Sequence, residues 1–154
     1  MNWPMNWDAI FGGANLLALI SWAALILLPR WPALLSALLY VVVGLLSLLY
    51  ATILVGLMSG WMDPGGSMAG GNFSSIAGVQ ALFATKGGLT LGWVHYLAFD
   101  LFIGIWIARD ADAKGISRLV QAPVLLATFM AGPLGLLVWL VLREPRARAG
   151  GRWR

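Results

Sequence analysis

Of the 154 residues, 60% are hydrophobic and only 10% charged, against roughly 25% charged in ordinary soluble domains, so the chain reads as one integral membrane bundle. The absence of cysteine excludes disulfides, thiolate metal sites, covalent haem attachment and cysteine nucleophiles. The net charge of +4 lies largely in Arg143, Arg146, Arg148, Arg152 and Arg154, a tail (143–154) that suits anionic lipid headgroups, at about 1 kcal/mol per charge, better than nucleic acid.

Residues 2–8 carry Trp3 and Trp7 around Pro4, the content of a headgroup-depth segment. They lack a basic region and a small-residue cleavage site, so the first helix is expected to be its own insertion signal. That helix is predicted over 10–28, just long enough to span, and stops at Pro29, Arg30, Trp31 and Pro32. Asn15 and Ser21 are its polar residues.

The second span is predicted over 33–58 without a single charge. Ser36, Tyr40 and Ser47 fall at helical spacing, with Tyr50 at the margin, and this polar stripe is expected to face inward for interhelical hydrogen bonds or a ligand. Residues 59–88 then turn rich in glycine, serine and methionine. Asp63-Pro64-Gly65-Gly66 is turn chemistry, and Ser74 or Ser75 is placed to cap a helix over about 75–85. A dozen residues are too few to cross, so an interfacial or re-entrant helix is expected between spans two and three.

The third span, 90–108, carries the polar residues on which a function can rest. Its core WVHYLAFDLFIGIWIAR holds Asp100 near the middle and His95, the only histidine, nearer one end. Charging a carboxylate at mid-membrane costs roughly 2.5–3.5 kcal/mol on insertion scales, so Asp100 must face protein, water or ligand. At 100° per residue Asp100 shares a face with Trp93, Ile103, Gly104 and Ile107, with Tyr96 near it; His95 shares another with Phe99, Phe102 and Trp106. His95 and Asp100 diverge by about 140° and are not expected to bond each other. Gly104, one turn from Asp100, opens room beside the carboxyl.

Arg109, Asp110, Asp112, Lys114 and Arg118 follow. Two carboxylates among three cations read as a solvated, mutually neutralising connector rather than a metal site. The fourth span is predicted over 119–142, kinked where Pro133 lacks an N–H and crowds the carbonyl of Phe129. Thr128, Gly132, Gly135 and Trp139 share a face, where a freed carbonyl beside small residues can meet a protonated acid, a ligand hydroxyl or a packed helix. Four crossings put six basic residues on the side of the two termini against four on the other, which fixes orientation only weakly, toward a cytoplasmic tail.

The order of these segments resembles a known family. Asn15, Trp22 and the LPRW turn, then SSIAGVQALF, then WVHYLAFDLFIGIWIARDADAKGI, then PVLLATFMAGPLGLLVWLVLR, are similar to the small four-helix membrane proteins related to the plant abscisic-acid-deficient-four protein. The resemblance spans nearly the whole chain, and its specific parts are His95–Trp106 and Thr128–Leu137.

The resemblance implies handling of a long C40 polyene, with isomerisation of an epoxy-carotenoid to an allene, as in neoxanthin synthesis, as the candidate reaction. That reaction protonates the epoxide oxygen and removes a proton from the neighbouring polyene carbon. A buried carboxyl held as the acid suits the first task and a neutral imidazole the second, which makes Asp100 and His95 the candidate catalytic pair. Tyr96, Trp93, Phe99, Gly104, Thr128, Gly132, Pro133, Tyr40 and Asn15 are the candidate substrate-binding residues.

The expectation is thus an all-α, four-helix membrane bundle with a short non-spanning helix. It is multi-pass and placed in a bacterial inner membrane, has no chloroplast transit peptide, and needs neither cofactor nor metal. It acts on a carotenoid or isoprenoid dissolved in the lipid, as a homo-oligomer or beside a membrane enzyme. The alternative is a non-catalytic pigment- or lipid-binding accessory protein. A solute pathway is a weaker third, because the inverted repeat and paired broken helices of transporters are missing.

Overall fold

The computed structural model describes residues 5–150, and these are helical with no strand among them. Trp3, Pro4, Arg152, Trp153 and Arg154, assigned above to the interface and the basic tail, lie outside the described residues. The helices are α1 (Trp7–Leu27), α2 (Pro32–Met58), α3 (Ile76–Phe83), α4 (Lys86–Ala113), α5 (Arg118–Met130) and α6 (Gly132–Gly150). Three of them, α1, α2 and α4, with 21, 27 and 28 residues, are long and apolar enough to cross a membrane. At 1.5 Å per residue even the shortest exceeds the roughly 30 Å hydrocarbon core. Their outer surfaces carry Leu16, Leu19, Ile20, Leu45, Leu48 and Val55, each at least half exposed, as befits helices whose solvent is lipid.

The polar stripe of α2 does not face inward. Ser36, Tyr40 and Ser47 are exposed, Tyr40 at 77%, while Leu38, Leu46 and Ile53 are buried. Ala37–Val43 is a π-helical segment, and its wider turns rotate everything after it relative to an ideal α-helix. The 100° spacing that gathered the three hydroxyls therefore does not hold across it.

The chain divides into two compact units. Residues up to Ala18 together with Gly44–Ala98 make the first, and Leu19–Val43 with the residues from Phe99 onward make the second; α1, α2 and α4 each contribute one end to each.

In the first unit Trp7, expected at the interface, is 4% exposed and packs in a core with Ile53, Leu57 and Met62. Its indole N–H donates to the carbonyl of Asp63 at 2.9 Å. Trp61, by contrast, is 55% exposed, as a headgroup anchor would be. The Asp63 carboxylate accepts from the Gly65 N–H at 2.8 Å, and Gly65 takes φ +69°, so the predicted turn forms where its residues allow it. Ser75 caps α3 by accepting from the Gly78 N–H at 3.1 Å, and α3 has eight residues rather than a dozen. Thr85 caps α4 in the same way, its hydroxyl accepting from the Gly88 N–H at 3.0 Å. This cap lets α4 begin before its first apolar residue.

The second unit is built on Trp22, Leu25, Leu101, Ile105, Leu125 and Trp139, each at most 2% exposed. Here the predicted fourth span is replaced by two helices that fold back on each other. α5 ends at Met130, Ala131 leaves helical geometry at φ −155° and ψ 79°, and α6 starts at Gly132. Pro133 therefore kinks nothing. It sits in the first turn of a new helix, where its missing N–H and fixed φ are harmless. The reversal brings Gly135 onto Thr128, so closely that a Cβ on Gly135 would strike the Thr128 backbone.

Gly135→Ala is expected to lower stability by roughly 1–3 kcal/mol through this overlap. Gly44→Ala, which meets nothing within 4 Å, is expected to be neutral or to stabilise by up to about 1 kcal/mol. Thermal unfolding of both variants in detergent checks the contrast.

Candidate functional site

Polar chemistry gathers at three places, each within a single unit, besides a hydrogen-bonded aromatic stack in the first. In the first unit an apolar cleft of about 280 Å³ lies between α2, α3 and α4, with the loop before α3 along its side. Leu54, Leu57, Leu82, Phe83 and Leu91 are among its walls, and His95 and Tyr50 are the side chains that bring polar atoms to it. The Tyr50 and His95 rings meet at 5.4 Å between centroids, tilted by 54°. Gly92 makes the cleft possible, because the Phe83 ring occupies the space a Cβ there would need.

Tyr50 was not among the expected site residues. The signal was its spacing with Leu54 and Leu57, one and two turns on, which marks the packed face of α2 rather than the exposed face of Ser36 and Tyr40.

Also in the first unit, three expected binding residues come together. Trp93 stacks between Phe11 (5.6 Å, 27°) and Tyr96 (5.4 Å, 21°), and its indole N–H donates to the Asn15 side-chain oxygen at 2.8 Å. Asn15 thus serves an aromatic stack at the surface, Trp93 itself being exposed, worth roughly 0.5–1.5 kcal/mol per ring pair beyond area.

In the second unit Asp100 is 8% exposed, and its carboxyl lies where a Cβ on Gly132 would be. The acid therefore rests against the first residue of α6, at the positive end of that helix. Gly104 admits the Trp22 ring, which also meets Phe129 at 5.6 Å. Thr128, fully buried, donates to the Val124 carbonyl at 2.8 Å. Phe99 (58%), Pro133 and Tyr40 are exposed instead. Asp100 and Gly132 are brought together; Tyr40 and Phe99 point outward.

The third place, also in the second unit, is the end of α4, where the reading of a solvated connector is corrected. Asp110 is about 10% exposed and accepts from Arg143 at 2.7 and 3.1 Å, Lys114 at 2.6 Å and the Trp139 indole at 3.1 Å. Arg143 also lies over the Trp106 ring at 5.5 Å. Beside it Arg30, its side chain 4% exposed, donates to Asp112 at 3.1 Å, to the Leu25 carbonyl at 3.1 Å and to Gln121. Gln121 in turn donates to Asp112 at 2.9 Å and to the Ile116 carbonyl at 2.7 Å. Burial pushes the Arg30 guanidinium below its ordinary value, and Asp112 opposes that shift. The cations neutralise the carboxylates as expected; around Asp110 they do so inside the protein, while Asp112, Arg109 and Arg118 stay exposed, and these pairs carry α4 on to Ala113.

Arg143→Ala withdraws the bidentate partner of Asp110, and on the order of 3 kcal/mol of stability is expected to go with it. Arg143→Lys should recover part of that loss, since it restores charge without the planar fork. Denaturant unfolding of the two variants measures the difference.

No curated protein and no solved structure matches this chain. The model of one family, described as ABA DEFICIENT 4-like, matches residues 9–139, and the chain belongs to that family.

Proposed function

We propose that this protein handles a carotenoid or related isoprenoid within the membrane, as an isomerase of neoxanthin-synthase type. The observation that carries the reading is the cleft: apolar walls, open to a lipid-dissolved molecule, with an imidazole and a phenol as its polar groups. At about 280 Å³ it falls just below the roughly 300–1,000 Å³ of drug-sized sites. That volume suits one ring end of a long polyene, the remainder of the chain lying along the helices among lipid. Membership of the family supports the substrate class.

In this reading His95 accepts the proton from the polyene carbon next to the epoxide. The electron pair shifts into the allene, the carbon–oxygen bond opens, and the oxygen takes up a proton, so atoms and electrons balance without a cofactor. Tyr50 is the group in the cleft able to hold the oxygen. The pairing of Asp100 as acid with His95 as base belongs to the same proposal and is decided by Asp100→Asn. The setting is a bacterial inner membrane, with a homo-oligomer or a neighbouring membrane enzyme as the partner.

The test is pigment analysis in a host that makes epoxy-carotenoids. Wild type is expected to yield a new isomer, and His95→Ala to reduce it by at least on the order of 10²-fold while the protein still folds. Asp100→Asn abolishing conversion in a folded protein assigns that carboxyl to the chemistry. Pigment that co-purifies unchanged with wild type and both variants makes this a binding protein instead.

A further inference from the structure

We propose that α5 and α6 form a re-entrant hairpin, held at its tip by Asp100. The chain then crosses the membrane three times, with its basic end cytoplasmic.

The hairpin's depth follows from its contacts along α4. Its two outer ends both lie at the end of that helix. Gln121, near the start of α5, reaches Asp112, and Arg118 donates to the Leu28 carbonyl. On the way back Trp139 and Arg143 of α6 both reach Asp110. The tip lies elsewhere, with Gly132 against Asp100. From Asp110 to Asp100 is ten residues of helix, about 15 Å, or half of a roughly 30 Å hydrocarbon core. The pair therefore enters to mid-depth and returns.

Such a turn opens backbone groups where lipid offers no partner, and it is tolerated only when buried in protein. Here Gly132 is buried, Thr128 beside it is fully buried, and the Asp100 carboxyl faces the N-terminal end of α6, where backbone N–H groups lack helical partners. An acid in the middle of an apolar span and a broken helix in the next segment are one feature seen from two sides.

Orientation follows from the same geometry. With three crossings, Arg30, Arg109, Lys114, Arg118, Arg143, Arg146 and Arg148 lie on one side. Lys86 is the one basic residue among those described on the other, and it is paired with Asp8 at 2.9 Å. A bias of seven to one is a strong signal for a cytoplasmic face at the end of α4. The topology does not rest on the proposed function.

The chain has no cysteine, so single cysteines report cleanly. Ser67→Cys, Ser117→Cys and Ala149→Cys, all at exposed positions, are labelled with a membrane-impermeant maleimide in intact cells and after permeabilisation. The expected result is that position 67 reacts in intact cells and that 117 and 149 react only after permeabilisation. Four crossings would place 67 and 149 on the same side and 117 opposite, which overturns the hairpin. Reaction of 117 and 149 but not 67 in intact cells overturns the orientation.

Discussion

The carboxyl of Asp100, ten residues before Asp110 on α4, meets the backbone of Gly132, and the second unit depends on that contact. Lipid supplies no hydrogen bonds, so a helix can break at mid-depth only where protein covers the break. Asp100 supplies the covering group, Gly132 the absence of a side chain that would displace it, and Pro133 a first turn that needs no donor. Trp22 fills the space beside Gly104, on the same helix as the acid, and joins Phe129 of α5. At the other end of the hairpin the buried pairs of Asp110 and the half-exposed contacts of Asp112 tie both of its outer ends to α4. Each group is costly when isolated in an apolar setting and stabilising when met by its partner.

The first unit uses different means. Its helices are joined by a glycine- and serine-rich loop whose polar groups are satisfied locally, by Asp63, Asn72, Ser75 and Thr85. With hydrogen bonding settled within the loop, the inner faces of α2, α3 and α4 stay apolar, and a cleft remains there with His95 and Tyr50 in its lining. The cleft belongs to the unit that keeps a space, and Asp100 is the one group of the packed unit to which the proposed chemistry also gives a part.

What was legible in the sequence is what depends on local pattern. Three spans, the Asp63-Pro64-Gly65 turn, the Ser75 cap and the burial of Asp100 all follow from residues within a few positions of one another. What was not legible depends on distant partners or on a departure from ideal geometry. Pro133 kinking a helix and Pro133 opening a new one look the same locally; the difference lies in Asp100, far away in sequence. The π segment at Ala37–Val43 turned a polar stripe outward that ideal spacing had turned inward. Asp110 reads as solvated until Arg143 is brought to it across 33 positions. Trp7 reads as an anchor until Asp63 accepts its N–H across 56 positions.

If Asp100 and Gly132 act as one element, a double-mutant cycle reveals it. Asp100→Asn, Gly132→Ala and the double variant are compared by reversible unfolding in detergent. Strong non-additivity is expected, a coupling of roughly 0.5–3 kcal/mol as for residues in contact, because either change alone disturbs the same tip. Effects that add to within about 0.5 kcal/mol would contradict it and leave the intramembrane acid without its structural role.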